Sequence, residues 1–148
     1  MKSIAEYIRR IGKARGFGIQ SPWAYSFVTE VIGERSPYYA YDDINRRYHS
    51  RKERKRQRLY HRVCNFMYGH RLYITDMQHP DEILLQLCSM ANEDGAVIIE
   101  GIHRDKNCSQ RWEMLKENEL IGITFDLYDI AICFLDRKII KQHYKLNF

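Results

Sequence analysis

Leu72-Tyr73-Ile74-Thr75-Asp76-Met77-Gln78-His79 and Ala96-Val97-Ile98-Ile99-Glu100-Gly101-Ile102-His103 are the two stretches that decide the fold. In each, an apolar run ends in an acid and a histidine follows three residues later. An unbroken apolar run of this length suits a strand buried on both faces of a parallel sheet. Between the two lie Pro80 and then Ile83, Leu84, Leu87 and Cys88 at helical spacing, which predicts a helix over Pro80–Met90 and a turn at Asn92–Gly95. A strand, a helix and a second strand make a right-handed parallel crossover. The C-terminal ends of neighbouring strands lie about 5 Å apart, and open α/β sheets hold ligands at that edge. Asp76, His79, Glu100 and His103 are therefore the candidates for a divalent-metal or acid/base site. The plainer alternative is that His79 caps the helix opening at Pro80 and that the acids sit favourably near helix N-termini.

Downstream, Asn107 is placed to cap a helix carrying Trp112, Leu115 and Met114. Ile123–Tyr128 and Ile130–Leu135 alternate across a tight turn near Asp129, the pattern of a β-hairpin. The tail HYKLNF also alternates, as a further edge strand would. Upstream the pattern is helical. Ile4, Tyr7, Ile8 and Ile11 predict an amphipathic helix over 3–14, broken at Gly16-Phe17-Gly18. Ser21-Pro22 then caps a helix with Trp23, Phe27, Val28, Val31 and Ile32 inward, ended by Gly33 and Ser36-Pro37. Asp42 or Asp43 would cap a third helix from Ile44 to about Tyr68, whose second half carries an apolar face of Leu59, Val63, Phe66 and Met67. From His49 to Arg58 there is no apolar residue, so that stretch is solvated, frayed or bound to something acidic.

At 148 residues the chain reads as one domain, with 1–45 an N-terminal helical segment, 46–68 a basic helix or linker, and 69–148 an α/β core. A chain of this size buries roughly 70% of its unfolded surface, and 45% hydrophobic content fits a packed globule. Apolar runs of six to eight residues are too short for a membrane span, and the charged N-terminus is no signal peptide. Cys64, Cys88, Cys108 and Cys133 show no metal-binding or disulfide spacing, which points to a reduced, cytoplasmic protein. The net charge of +5 hides an asymmetry: residues 46–62 carry nine Lys/Arg against one Glu, so the rest of the chain is acidic by three charges. The basic patch comprises Arg46, Arg47, Arg51, Lys52, Arg54, Lys55, Arg56 and Arg58. Clustered cations suit nucleic acid. Tyr48 and Tyr60 flank the run without interleaving, so a stacking platform is not evident from the sequence and a solvated helix is the simpler account.

Three blocks resemble a bacterial group of class I S-adenosylmethionine-dependent methyltransferases related to the catechol-type O-methyltransferases. GFGIQSPWAYSFVTEVIGERSPYYAYDDI looks like the segment that precedes that group's catalytic domain. LYHRVCNFM is similar to the helix leading into its first strand. AVIIEGIHRDKNCSQRWEMLKENELIGITFDLYDIAICFLDRKIIKQHYKLNF looks like its fifth strand through its C-terminus, including a hairpin with a DL-aromatic step. ITDMQH is similar to the family's fourth-strand motif, with Met77 where the family has glycine. Glu100 and His103 match the fifth-strand motif, with Gly101 in place of a second acid.

The resemblance implies a truncated Rossmann-like α/β domain: N-terminal helices, then a small mixed sheet in the family's order 4-5-7-6, ending in an antiparallel hairpin. It also exposes what is missing. The family holds its cofactor on a glycine-rich loop after strand one and binds the ribose with a carboxylate after strand two. Here none of Gly12, Gly16, Gly18, Gly33, Gly69, Gly95, Gly101 and Gly122 forms such a loop, and the chain passes from its third helix directly into strand four. The expected function is that of a pseudoenzyme, non-catalytic, with no cofactor, no bound metal and S-adenosylmethionine binding lost. Its role would be structural or interaction-based, as a homodimer formed along the strand Leu72–Thr75 or with another protein. The alternatives are a methyltransferase or metal and ligand binder that still uses the strand-end cleft, and a nucleic-acid binder acting through 46–62.

Overall fold

The computed structural model describes residues 4–10, 19–135 and 141–148. Six helices precede or interleave with five strands. The helices are α1 (Ile4–Arg10), α2 (Pro22–Phe27), α3 (Ala40–Arg47), α4 (Arg51–Phe66), α5 (Pro80–Ser89) and α6 (Lys106–Lys116). The strands are β1 (Arg71–Asp76), β2 (Gly95–Glu100), β3 (Ile123–Asp126), β4 (Ile130–Phe134) and β5 (Gln142–Lys145). They form one mixed sheet in the order β1-β2-β4-β3-β5. β1 and β2 run parallel, β4 is antiparallel to both β2 and β3, and β5 lies parallel to β3. This is a small Rossmann-like α/β arrangement in the expected 4-5-7-6 order, with the tail added as the edge strand.

Alternation along the strands divides the core into two layers. Ala96, Ile98, Phe125, Ile132 and Phe134 face α2, its continuation Val28–Ile32 and α4, which contribute Phe27, Val28, Val31, Leu59 and Val63. Val97, Ile99, Ala131 and Cys133 face α5 and α6, which contribute Ile83, Leu87, Cys108 and Trp112. Ser21 caps α2 through its hydroxyl to the Ala24 N–H (3.3 Å), and the helix runs on through a five-residue π turn, Val28–Ile32.

The structure differs from expectation at several helix faces and caps. The long third helix is two helices, because Tyr48 adopts an extended conformation and Ser50 starts a new helix by accepting the Glu53 N–H. Ser50 and Glu53 have the Ser-x-x-Glu spacing of a helix start. Asp105, not Asn107, caps α6, accepting the Cys108 N–H at 2.8 Å. Leu84 and Cys88 on α5, Met114 on α6 and Phe66 on α4 are exposed rather than buried. On α1 the isoleucines Ile4 and Ile8 point outward, 80% and 60% exposed, while Arg10 is buried at 2%. Ile11 and the Gly16–Gly18 break lie outside the described residues. Among the described residues no helix is long and apolar enough to cross a membrane.

Candidate functional site at the C-terminal edge of the sheet

The crossover brings Asp76 and Glu100 side by side as partners in the β1–β2 register. Each carboxylate is paired within the chain. Arg104, in the loop after β2, grips Asp76 with both terminal guanidinium nitrogens: Nη1 to Oδ1 at 2.9 Å and Nη2 to Oδ2 at 2.6 Å. The Gln78 N–H adds a third bond to Oδ1 (2.8 Å). This two-pronged geometry is the strongest form of charged hydrogen bond, and Arg104 holds the Asp76 carboxyl below its ordinary range. Gly101 makes the grip possible. Its φ of +71° suits glycine alone, and a Cβ there would lie 2.6 Å from Arg104 Nη2.

Glu100 is held from the other side by α4. The Tyr60 hydroxyl donates to Oε1 at 2.5 Å, and Arg56 Nη1 lies 3.5 Å from Oε2. Burial, and then the bond to Glu100, push the Tyr60 phenol well up, so it remains a donor. One helical turn nearer the start of α4, Lys52 reaches Asp129 in the β3–β4 turn at 2.9 Å. The basic run that carries no apolar residue therefore does meet something acidic, which is this chain's own strand ends. Lys52, Arg56 and Tyr60 share the inward face of α4 with Leu59 and Val63, so the apolar stripe continues as a charged one beyond the rim of the sheet.

The third strand end is the most deeply built. Asp126 and Arg10 are each 2% exposed. Arg10 Nη1 donates to Asp126 Oδ1 (2.8 Å), to the Asp126 carbonyl (2.8 Å) and to the Leu146 carbonyl (3.2 Å), while its Nε donates to Glu6 (2.6 Å). His103 Nε2 donates to Asp126 Oδ2 at 2.7 Å, Trp112 Nε1 to the same oxygen at 3.3 Å, and the Tyr128 N–H to Oδ1 at 2.8 Å. Burial alone would raise the Asp126 carboxyl, but the bonds from His103 and Arg10 outweigh it and hold it far below the usual range. His103 Nδ1 and the Ser109 hydroxyl are 3.0 Å apart. A hydroxyl, an imidazole and a carboxylate in line are the components of a nucleophile relay. Here Arg10 already neutralises the carboxylate that such a relay needs to stabilise an imidazolium.

The four residues singled out in the sequence thus separate. Asp76 and Glu100 are adjacent but each is bonded to its own cation, and His103 turns to Asp126 instead of to them. His79 occupies the N-cap position of α5, with its exposed side chain making no capping bond. Among the described residues no group of three or more His, Cys, Asp or Glu side chains is arranged to hold a metal ion. Sequence reasoning missed Arg10, Arg104 and Asp126. Only Asp126 carried a signal, as an acid inside an otherwise apolar alternating strand. No protein-family model, curated protein or solved structure matches this chain.

Proposed function

We propose that this chain is a non-catalytic, methyltransferase-like protein with a structural or interaction role, built on a Rossmann-like sheet and working as a homodimer. The observation that supports this reading is the state of the C-terminal edge, where ligand chemistry belongs in this architecture. Asp76, Glu100, Asp126 and Asp129 each meet a cation of the same chain, namely Arg104, Arg56, Arg10 and Lys52. A ligand would have to displace these internal bonds, and the sequence offers no glycine loop to repay the loss. Calorimetric titration with S-adenosylmethionine is expected to give no binding heat, and a one-to-one complex at micromolar concentration would overturn the reading.

β1 is an edge strand, and Ile74 on it and Leu84 and Leu85 on α5 are exposed. A bare edge carries unpaired backbone groups and favours association. Antiparallel pairing with a second copy about an axis through Tyr73 sets Leu72 opposite Ile74 of that copy, burying one patch from both sides. Sedimentation equilibrium should give twice the chain mass of 17.8 kDa. Ile74→Lys should restore the single mass, and a wild-type monomer at micromolar concentration would remove the dimer.

A further inference from the structure

α4 uses its cations in two different ways. Lys52, Arg56 and Arg62 are consumed by the fold: Lys52 and Arg56 by strand-end acids, and Arg62 by the Val31 and Ile32 carbonyls and the Tyr41 hydroxyl. Arg51, Arg54, Lys55 and Arg58 are spaced i, i+3, i+4 and i+7, so they form one stripe on a different face. Among the described residues Arg51, Arg54, Lys55 and the nearby Arg35 form no ion pair. Lys55 contacts the Phe148 ring at 4.4 Å, and burial together with the nearby charges of Arg51, Arg35 and Arg62 disfavours its ammonium. The one acid in this part of the helix, Glu53, is turned to Arg56 and Gln57. Cations in the first turns of a helix also oppose its dipole, whose positive end favours anions. Such an arrangement is costly in isolation and is relieved by an anionic partner.

The stripe ends in aromatic side chains. Arg58 lies over the Tyr41 ring at 5.2 Å and bonds Asn45 Oδ1 at 2.7 Å. Tyr38 packs edge-on against Tyr41 and His61 and is itself exposed, and Tyr39 beside it is 98% exposed. A cationic track next to open aromatic rings is what single-stranded nucleic acid requires: phosphates along the track and bases stacked on the rings. The aromatic element comes from residues just upstream of the basic run, brought beside α4 where α3 packs against it.

We infer that Arg51, Arg54 and Lys55 of this stripe, with Arg35, bind the phosphodiester backbone of single-stranded nucleic acid, with Tyr38 and Tyr39 receiving its bases. The site uses neither the closed strand ends nor the β1 edge, so it stands or falls separately from the function proposed above. Four phosphate contacts on a single strand give a slope of about −2.8 in log affinity against log salt. Binding therefore weakens about 50-fold between 50 and 200 mM salt.

The test is fluorescence anisotropy of the full chain with a labelled 20-nucleotide oligo-dT. The wild type should bind at micromolar concentration in 50 mM salt with that slope. Arg51→Gln/Arg54→Gln/Lys55→Gln should flatten the slope to about −0.7, one contact remaining. Tyr39→Ala should weaken binding about tenfold with the slope unchanged. Arg111→Gln, on α6 across the sheet, should change neither. Arg54→Gln alone, expected to lower the slope by about 0.7, carries the test if the triple variant does not fold. No binding at 50 mM salt, tighter binding of a duplex of equal length, equal competition by polyglutamate, or a wild-type slope in the folded variants would each overturn the inference.

Discussion

Replacing Arg10 by methionine tests how the strand ends are closed. Arg10 and Asp126 are both almost fully buried, and Nη1 lies 2.8 Å from Oδ1. Methionine keeps much of the apolar stem and removes the charge, leaving the Asp126 carboxylate with His103, Trp112 and the Tyr128 amide but no arginine. Breaking a buried pair by deleting one partner costs about 3–5 kcal/mol, because the remaining charge stays desolvated. Domains of this size are stable by about 5–15 kcal/mol, so the loss is a large fraction, equal to a fall of about 10–15 °C in Tm. Asp126→Asn should cost a similar amount by stranding Arg10. The double variant should cost less than the two singles together, with coupling of about 2 kcal/mol. Urea unfolding of the four proteins measures all three quantities. A cost below about 1 kcal/mol for Arg10→Met, or strict additivity, would refute the argument that the pair acts as a unit. The pH dependence carries the same signature. Because the folded Asp126 carboxyl is held far below its unfolded value, its contribution is complete at neutral pH. It is lost as pH falls below about 4 toward the folded value, with the unfolded state then binding more protons. Asp126→Asn should flatten that acid limb.

Three further outcomes follow from the same geometry. Tyr60→Phe removes the hydroxyl that donates to Glu100 and should lower stability by about 1.5–3 kcal/mol in urea unfolding, the range for a bond to a charged group. Gly101→Ala places a Cβ against Arg104 at a positive φ and should cost about 1 kcal/mol. In carboxyl-resolved NMR the Asp76 carboxyl should then titrate closer to its ordinary value, since the grip of Arg104 is displaced. Ser50→Ala should cost about 0.5–1 kcal/mol and raise amide exchange in the first turn of α4, because the cap bond to Glu53 is long at 3.5 Å.

What the sequence could determine was whatever short-range periodicity encodes. The apolar runs at Leu72–Thr75 and Ala96–Ile99 specify strands, of which the second is buried on both faces and the first lies half-exposed at the sheet edge, and alternation over Ile123–Leu135 specifies the hairpin. Ser21-Pro22 specifies a helix start through a single hydroxyl bond. These signals extend over a few residues, and the strand order follows once the crossover is right-handed. The face of α1 was not legible in this way. Its isoleucines are periodic, yet a buried carboxylate 116 residues away draws Arg10 inward and leaves Ile4 and Ile8 outside. Nor was the fate of the candidate acids legible. Asp76 and Glu100 look like ligands because their types and spacing suit chemistry. The sequence cannot say that Arg104 folds back over one, or that α4 carries Arg56 and Tyr60 to the other across 40 residues. The basic run and the acidic strand ends were each unexplained when taken alone. Coulombic partners are chosen by proximity in three dimensions, so only the tertiary structure could pair them.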